Sequence, residues 1–241
     1  MQVTIALCSE QGGRDYNEDS VRRFEENGLY AVVIADGLGG HGGGELASSK
    51  AADTIIELFK NDPQIDTENI RDFFSRANDE VLKIQTKTEK MKSTGVALFI
   101  KNDNVIWGHA GDSRLYHFKE GKLVTQTLDH SVSQMAVYSG EITKEQIRHH
   151  EDRNRVLKAF GGNEEISAEI SKPLTFSPGF HAFLLCTDGF WEYVFEIEME
   201  VDLAKSKTPD RWIDEMTQRL LKRAPDNNDN YSAAAIFVKR T

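Results

Sequence analysis

Tyr30 to Ala35, YAVVIA, is an unbroken apolar run that stops at Asp36 and passes straight into a stretch rich in glycine. A run this short with no turn former in it reads as a buried strand. A carboxylate at its end, followed by Gly37, Gly39 and Gly40, stands where the chain leaves the core and the backbone can approach a ligand closely. After Gly44 the period changes. Leu46, Ala47, Ala51, Ile55, Leu58 and Phe59 recur at steps of three and four, which predicts a helix from near Gly43 to about Lys60. The unit is strand, acidic glycine-rich turn, helix. Taken alone, Asp36-Gly37 reads equally as a hairpin turn. A phosphate-cradling loop does not fit, because no Gly-Lys-Ser/Thr closes the stretch and its opening acid repels phosphate unless a cation intervenes.

The same grammar recurs in the last third of the chain. Residues 180–187, FHAFLLCT, form a second strongly apolar run that ends on Asp188-Gly189, and Asp229-Asn230 stands just before a final apolar strand. Three acids at strand ends, each beside small or turn-forming residues, make an oxygen-rich pocket for hard cations if the strands are neighbours.

Between these points the chain reads as mixed α+β with antiparallel strands. Residues 3–8 and 20–24 are predicted strands, with a polar loop between them that carries Arg14. Residues 67–87 place Ile70, Phe73, Phe74, Ala77, Val81, Leu82 and Ile84 on one helical face. Strands are expected at 94–101, 105–110 and 114–119, separated or followed by the turn pairs Asn102-Asp103 and Glu120-Gly121. Gly111-Asp112-Ser113-Arg114 reads as one more turn. From Leu128 to Gly162 the chain is helical and loop-rich, with a helix start at Ser131 and a Thr143–Gln146 capping box. His149-His150 lies in a charged, solvated stretch, and a last helix spans about 210–223, with Trp212, Ile213, Met216, Leu220 and Leu221 facing inward.

The 241 residues, 39% hydrophobic, suffice for one large core, and no linker divides them. A net charge of −10 argues against nucleic acid or an anionic membrane as a partner. Cys8 and Cys186 each sit in an apolar run, as expected of two buried thiols in a reducing compartment. With no apolar stretch of membrane-spanning length and no basic or hydrophobic leader, a soluble, cytoplasmic protein is expected.

Seven short motifs occur in one order: ArgxxAsnGluAsp (Arg14–Asp19), AlaAspGlyxGlyGlyHis (Ala35–His41), GlyGluxAlaSer (Gly44–Ser48), GlyAspSerArg (Gly111–Arg114), AspHisSer (Asp129–Ser131), ThrAspGly (Thr187–Gly189) and AspAsnxSer (Asp229–Ser232). Each alone is weak. The ordered set, from Arg14 to Val238, resembles the metal-dependent PP2C-type (PPM family) serine/threonine protein phosphatases of bacteria. The resemblance implies one domain over 1–241 with a flap at about 131–162, folded as an α+β four-layer αββα sandwich around two central antiparallel β-sheets.

It also implies roles. Asp36 matches the carboxylate that bridges two Mn or Mg ions, Gly37 the glycine whose carbonyl binds one of them, and Asp188 and Asp229 the acids that complete the pair. Asp129 matches a residue at a third, accessory ion, Glu18 and Asp19 match acids that hold metal-bound waters, and Arg14 matches the arginine on the substrate phosphate. Eukaryotic members place a histidine general acid directly after the Asp-Gly, where this chain has Leu38. His41, three residues on, is the candidate here. Two further departures are Lys92, where the family's MetGlyThrThr pattern has glycine, and Glu192, where an aspartate often helps hold the third ion. The implied partners are phosphorylated proteins, the products of a cognate Ser/Thr kinase, acted on by a monomer. Two other readings remain open at this level: a catalytically silent phosphatase-like domain that binds or senses, and a nucleotide-binding module built on the glycine-rich loop.

Overall fold

The computed structural model of the chain describes residues 1–39, 43–86, 88 and 90–240. Its elements, in order, are β1 (Gln2–Glu10), β2 (Asp19–Glu26), β3 (Leu29–Leu38), α1 (Gly43–Asn61), α2 (Thr67–Ile84), β4 (Lys92–Ser93), β5 (Gly95–Lys101), β6 (Asn104–Ala110), β7 (Arg114–Lys119), β8 (Lys122–Gln126) and α3 (Val132–Ser139). A short 3₁₀ turn at Lys144–His149 follows, then β9 (Glu169–Ile170), β10 (Leu174–Thr175), β11 (Gly179–Cys186), α4 (Asp188–Trp191), α5 (Glu196–Lys205), α6 (Pro209–Arg223) and β12 (Tyr231–Arg240). One sheet has the order β1-β12-β11-β7-β8. The other has β10-β6-β5-β3-β2, with β4 added to β3 and β9 added to β6. Every pairing between the described strands is antiparallel.

The apolar runs that gave the strands away are continuous because both of their faces are covered. Side chains alternate across a strand. In β3, Val32 and Ile34 point into the layer between the sheets, while Ala31, Val33 and Ala35 meet α1 and α2. In β11, Phe183 and Leu185 join the same central layer, and Ala182, Leu184 and Cys186 meet the other pair of long helices, α5 and α6. Three apolar layers between four layers of secondary structure make the αββα sandwich that the sequence resemblance implied.

The helices pack as their periods dictate, with two exceptions in detail. On α1, Ala47, Ala51, Ile55 and Phe59 form the buried row, but Leu46 is 59% exposed because it falls one step off that row. On α6, Trp212, Ile213, Met216 and Leu220 face inward, whereas Leu221 is 54% exposed. Caps set the helix starts. Asp66 accepts from the Asn69 N–H at 2.9 Å, and Thr208 caps α6 ahead of Pro209. Sequence reading missed α5, since its buried face includes an acid, Asp202, which is held by Arg219 at 2.6 and 2.9 Å and breaks the apolar period. Cys186 is buried, while Cys8 is half-buried with its thiol pushed up to about 11 by burial, then by Glu10 and Asp214.

The central layer should dominate stability. Phe183→Ala is expected to cost ~3–5 kcal/mol, and Leu221→Ala to stay within about 0.5 kcal/mol of wild type. Urea unfolding midpoints at unchanged slope check both.

Candidate metal centre and active site

Both sheets present strand ends at one edge of the sandwich, and the acids lie there. Antiparallel pairing sets Asp19 of β2 opposite Asp36 of β3. In the other sheet the β11–β12 ladder runs out at Cys186 opposite Ala233, which leaves Asp188 and Asp229 just beyond it. Hydrogen bonds then hold this edge, two of them joining the sheets and a third tying β12 to the end of β11. Thr187 Oγ1 donates to Asp19 Oδ2 at 3.0 Å, the Glu18 N–H donates to Asn230 Oδ1 at 2.8 Å, and the Ser232 N–H donates to Thr187 Oγ1 at 3.0 Å.

The result is a pocket of about 270 Å³ whose lining includes Arg14, Glu18, Asp36, Gly37, Asp112, Asp188 and Asp229. Five of these are carboxylates. Gly37 can be nothing larger, because a Cβ there would lie 2.2 Å from the Gly44 carbonyl oxygen and 2.6 Å from that of Glu18. Its N–H donates to Glu18 O at 3.1 Å, and the Glu18 carboxylate accepts from the Gly44 N–H at 3.1 Å, so Gly37 and Gly44 are both held against the residue that precedes β2.

The electrostatics of the pocket are those of an acid cluster short of cations. Burial, followed by Asp188, Asp19, Asp112 and Asp229, holds the Asp36 carboxyl well above the usual carboxylate range. Burial, followed by Asp112, Glu192, Asp229 and Asp19, does the same to Asp188. Asp112 is pushed up to about 7, by burial and then Asp129. Asp19 also reaches about 7, through burial against the lowering effect of its Ser232 and Thr187 bonds. Among the described residues Arg14 is the single cationic side chain lining the pocket, and its Nη2 lies 2.7 Å from Asp229 Oδ2. Asp112 Oδ1 is buried with no partner. An orphaned carboxylate oxygen beside four other acids is a donor set that suits hard divalent cations.

Most of the site residues expected from sequence meet here, and three placements differ. Asp129 is not in the pocket lining. Both of its oxygens are taken by Arg114, from Nε and Nη2 at 2.7 Å each, and the pair is buried with the Arg114 guanidinium 3.5 Å above the Trp191 ring. Asp112, read from sequence as an ordinary turn residue, lines the pocket in its stead. The signal was present, since Asp112 also follows an apolar strand, β6, through a glycine. Asp19 sits behind the pocket wall rather than on it, tied to Thr187. Glu192 accepts from Arg153 Nε at 2.7 Å, so a residue of the 131–162 segment is bonded beside Asp188. Asn154 and Val156 of that segment complete the pocket rim, and nothing in the sequence marked them. His41 lies outside the described residues.

A second cluster, His109, His130 and Glu169, brings ligand atoms within 4.8 Å of one another. The two imidazoles stack at 4.6 Å and 6°, so their in-plane lone pairs run side by side instead of converging. His130 Nδ1 accepts from the Gly111 N–H at 3.2 Å, which ties this pair to the residue before Asp112.

Clustered strand-end acids facing one arginine define a metal-dependent phosphoester hydrolase type of site. A family model described as "Protein phosphatase 2C" matches residues 10–230. The chain belongs to the protein phosphatase 2C family. It is 30% identical to the "Serine/threonine phosphatase stp" of Listeria welshimeri, over 94% of this chain and 91% of that one. Among solved structures it superposes on the serine/threonine phosphatase Stp1 from Staphylococcus aureus with a TM-score of 0.86, at 26% identity over 100% of this chain and 96% of that one. It also superposes on the catalytic domain of the serine/threonine protein phosphatase PstP in complex with two manganese ions, with a TM-score of 0.81 at 25% identity over 99% of both.

The acid cluster predicts an inverted pH response for the metal-free protein. Asp19 and Asp112 hold their protons up to about 7 when folded, against an ordinary carboxylate value of 3.8, so the native state binds more protons than the unfolded one between those limits. Stability therefore rises as pH falls from about 8 towards 5. Thermal unfolding in chelator should show this, and saturating Mn2+ at pH 7.5 should raise Tm by roughly 5 °C or more while flattening the pH dependence.

Proposed function

We propose that Asp36, the Gly37 carbonyl, Asp188 and Asp229 hold two divalent cations, Mn2+ or Mg2+, and that Arg14 binds the substrate phosphate beside them. As a member of its family the chain is a metal-dependent serine/threonine protein phosphatase, and its substrates are phosphoproteins. The observation that carries the site assignment is the convergence of five carboxylates on one small pocket whose only described cationic side chain is Arg14. When bound, the ions supply Lewis acidity and lower the pKa of water enough to provide hydroxide near neutral pH.

The remaining work belongs to side chains of this chain. Asp36 stands near the end of β3 with Asp188 and Asp229 from the facing sheet around it and would hold the ions together with them. Arg14 is half exposed and paired with Asp229, so its remaining donors are free to take phosphoryl oxygens in a bidentate grip. Glu18, fixed by the Gly44 N–H, lines the wall where ordered waters need an acceptor. Asp112 is our candidate for an accessory third ion in place of Asp129, because releasing Asp129 would strand a buried guanidinium. The leaving alkoxide needs a proton, and His41 is the candidate donor. Residues 131–162 act as the flap of a single domain spanning 1–241, closing the rim with Asn154 and Val156 and latched by Arg153 on Glu192. A monomer acting on the products of a cognate kinase fits this arrangement. No described helix is long and apolar enough to cross a membrane.

Hydrolysis of p-nitrophenyl phosphate and a phosphothreonine peptide is expected with Mn2+ or Mg2+ and should vanish on exhaustive chelation. Asp36→Asn should lower kcat at least ~10²-fold, comparable to loss of a principal electrostatic group. Activity that survives chelation would overturn the assignment. The two remaining acids should separate cleanly. Asp129→Asn breaks a buried ion pair and should destabilise the fold by ~3–5 kcal/mol. Asp112→Asn removes like-charge repulsion, so the metal-free protein should be no less stable while activity falls. Unfolding midpoints and initial rates on the two variants decide which acid serves the ions.

A further inference from the structure

A groove of about 520 Å³ adjoins the acid pocket, and Leu38, Asn154 and Val156 line both. Its character is opposite. In a chain of net charge −10, the groove is lined by Lys92 and Arg155 and by no carboxylate among the described residues. The position of Lys92 is fixed by backbone pairing: in β4 it sits directly opposite Leu38, two residues past Asp36 on β3. It is exposed, and no described side chain pairs with it. The Arg155 side chain is 68% exposed and, among the described residues, is held only by Asp152 of its own turn, at 3.2 Å.

An extended peptide advances about 3.3 Å per residue. The groove shares three lining residues with the acid pocket, so a side chain one or two positions from a phosphorylated residue held there is within reach of it. The pocket's acids repel acidic peptides, whereas the pair of cations lining the adjoining groove would favour them. We infer that Lys92, together with Arg155, selects substrates that carry a carboxylate side chain within one or two positions of the phosphorylated serine or threonine. The inference rests on the assignment of the acid pocket as the phosphate site. A lysine that merely solvates the surface would leave substrate choice unaffected.

The test uses three phosphothreonine peptides that differ only in flanking residues: glutamines throughout, glutamates at the two preceding positions, or glutamates at the two following positions. The readout is the ratio of kcat/KM for each glutamate peptide to that for the glutamine peptide within one enzyme, so any general loss of activity in a variant cancels. For wild type with Mn2+, one glutamate peptide should be favoured about three- to tenfold, and the preference should shrink as salt is raised. The ratio should fall to about one in Lys92→Gln and below one in Lys92→Glu. A wild-type ratio of one, or a ratio unchanged in both variants, overturns the inference. Failure of the underlying site assignment has a separate signature, p-nitrophenyl phosphate turnover that is insensitive to Asp36→Asn, and would remove the basis of the inference whatever the peptides show.

Discussion

The apolar layer between the two sheets is the contact on which everything else depends. Val32, Ile34, Val96 and Leu98 from one sheet meet Phe183, Leu185, Ala234 and Ile236 from the other. Because side chains alternate along a strand, this layer fixes which residue of each strand faces which sheet. The acids begin where it ends. A slip of one residue in β3 or β12 would turn the inner set outward and carry Asp36 or Asp229 away from the shared edge.

That edge is held by polar contacts that substitute for the apolar layer where it stops. Asp19 accepts from Thr187 across the sheets, and Asn230 receives the Glu18 N–H. Trp191 Nε1 donates to the Asp112 carbonyl at 2.9 Å while its ring lies under the Arg114 guanidinium, and Arg114 grips Asp129. The arrangement gives each buried charge outside the pocket a partner and leaves the unbalanced charge inside it. Like charges gathered in a low-dielectric pocket are unfavourable without counterions, so the fold carries a strain that divalent cations relieve. Stability and metal affinity are thereby two readings of one electrostatic fact. The adjoining groove has the opposite character, lined by Lys92 and Arg155 and by no carboxylate among the described residues.

Legibility from sequence followed burial on two faces. YAVVIA and FHAFLLCT could be read as strands because each is covered above and below, which forces an unbroken apolar run. The acid at the end of each was equally plain, since a charge cannot continue such a run. By contrast, Asp112 and Asp129 look alike in sequence, both short-range turn acids next to a motif. Their fates differ because Arg114, two residues after Asp112, turns its guanidinium towards Asp129, a choice made by the position of Trp191 some eighty residues away. Leu46 and Leu221 were misplaced for a milder reason: an apolar residue at the border of a helical stripe is assigned to a face only by what packs there.

The sequence by itself determined the long buried strands, most of the helices, the antiparallel α+β class and the ordered set of acids, since all of these follow from local period and from the cost of burying charge, whereas the short strands β4, β9 and β10 and the exposed β8 left no such signal. Only the tertiary structure decided which acids share the pocket, that Asp129 serves Arg114 and that Lys92 lines a groove adjoining that pocket. Those are contacts between residues distant along the chain, and they exist only once two sheets have closed on one apolar layer and brought their ends to a common edge.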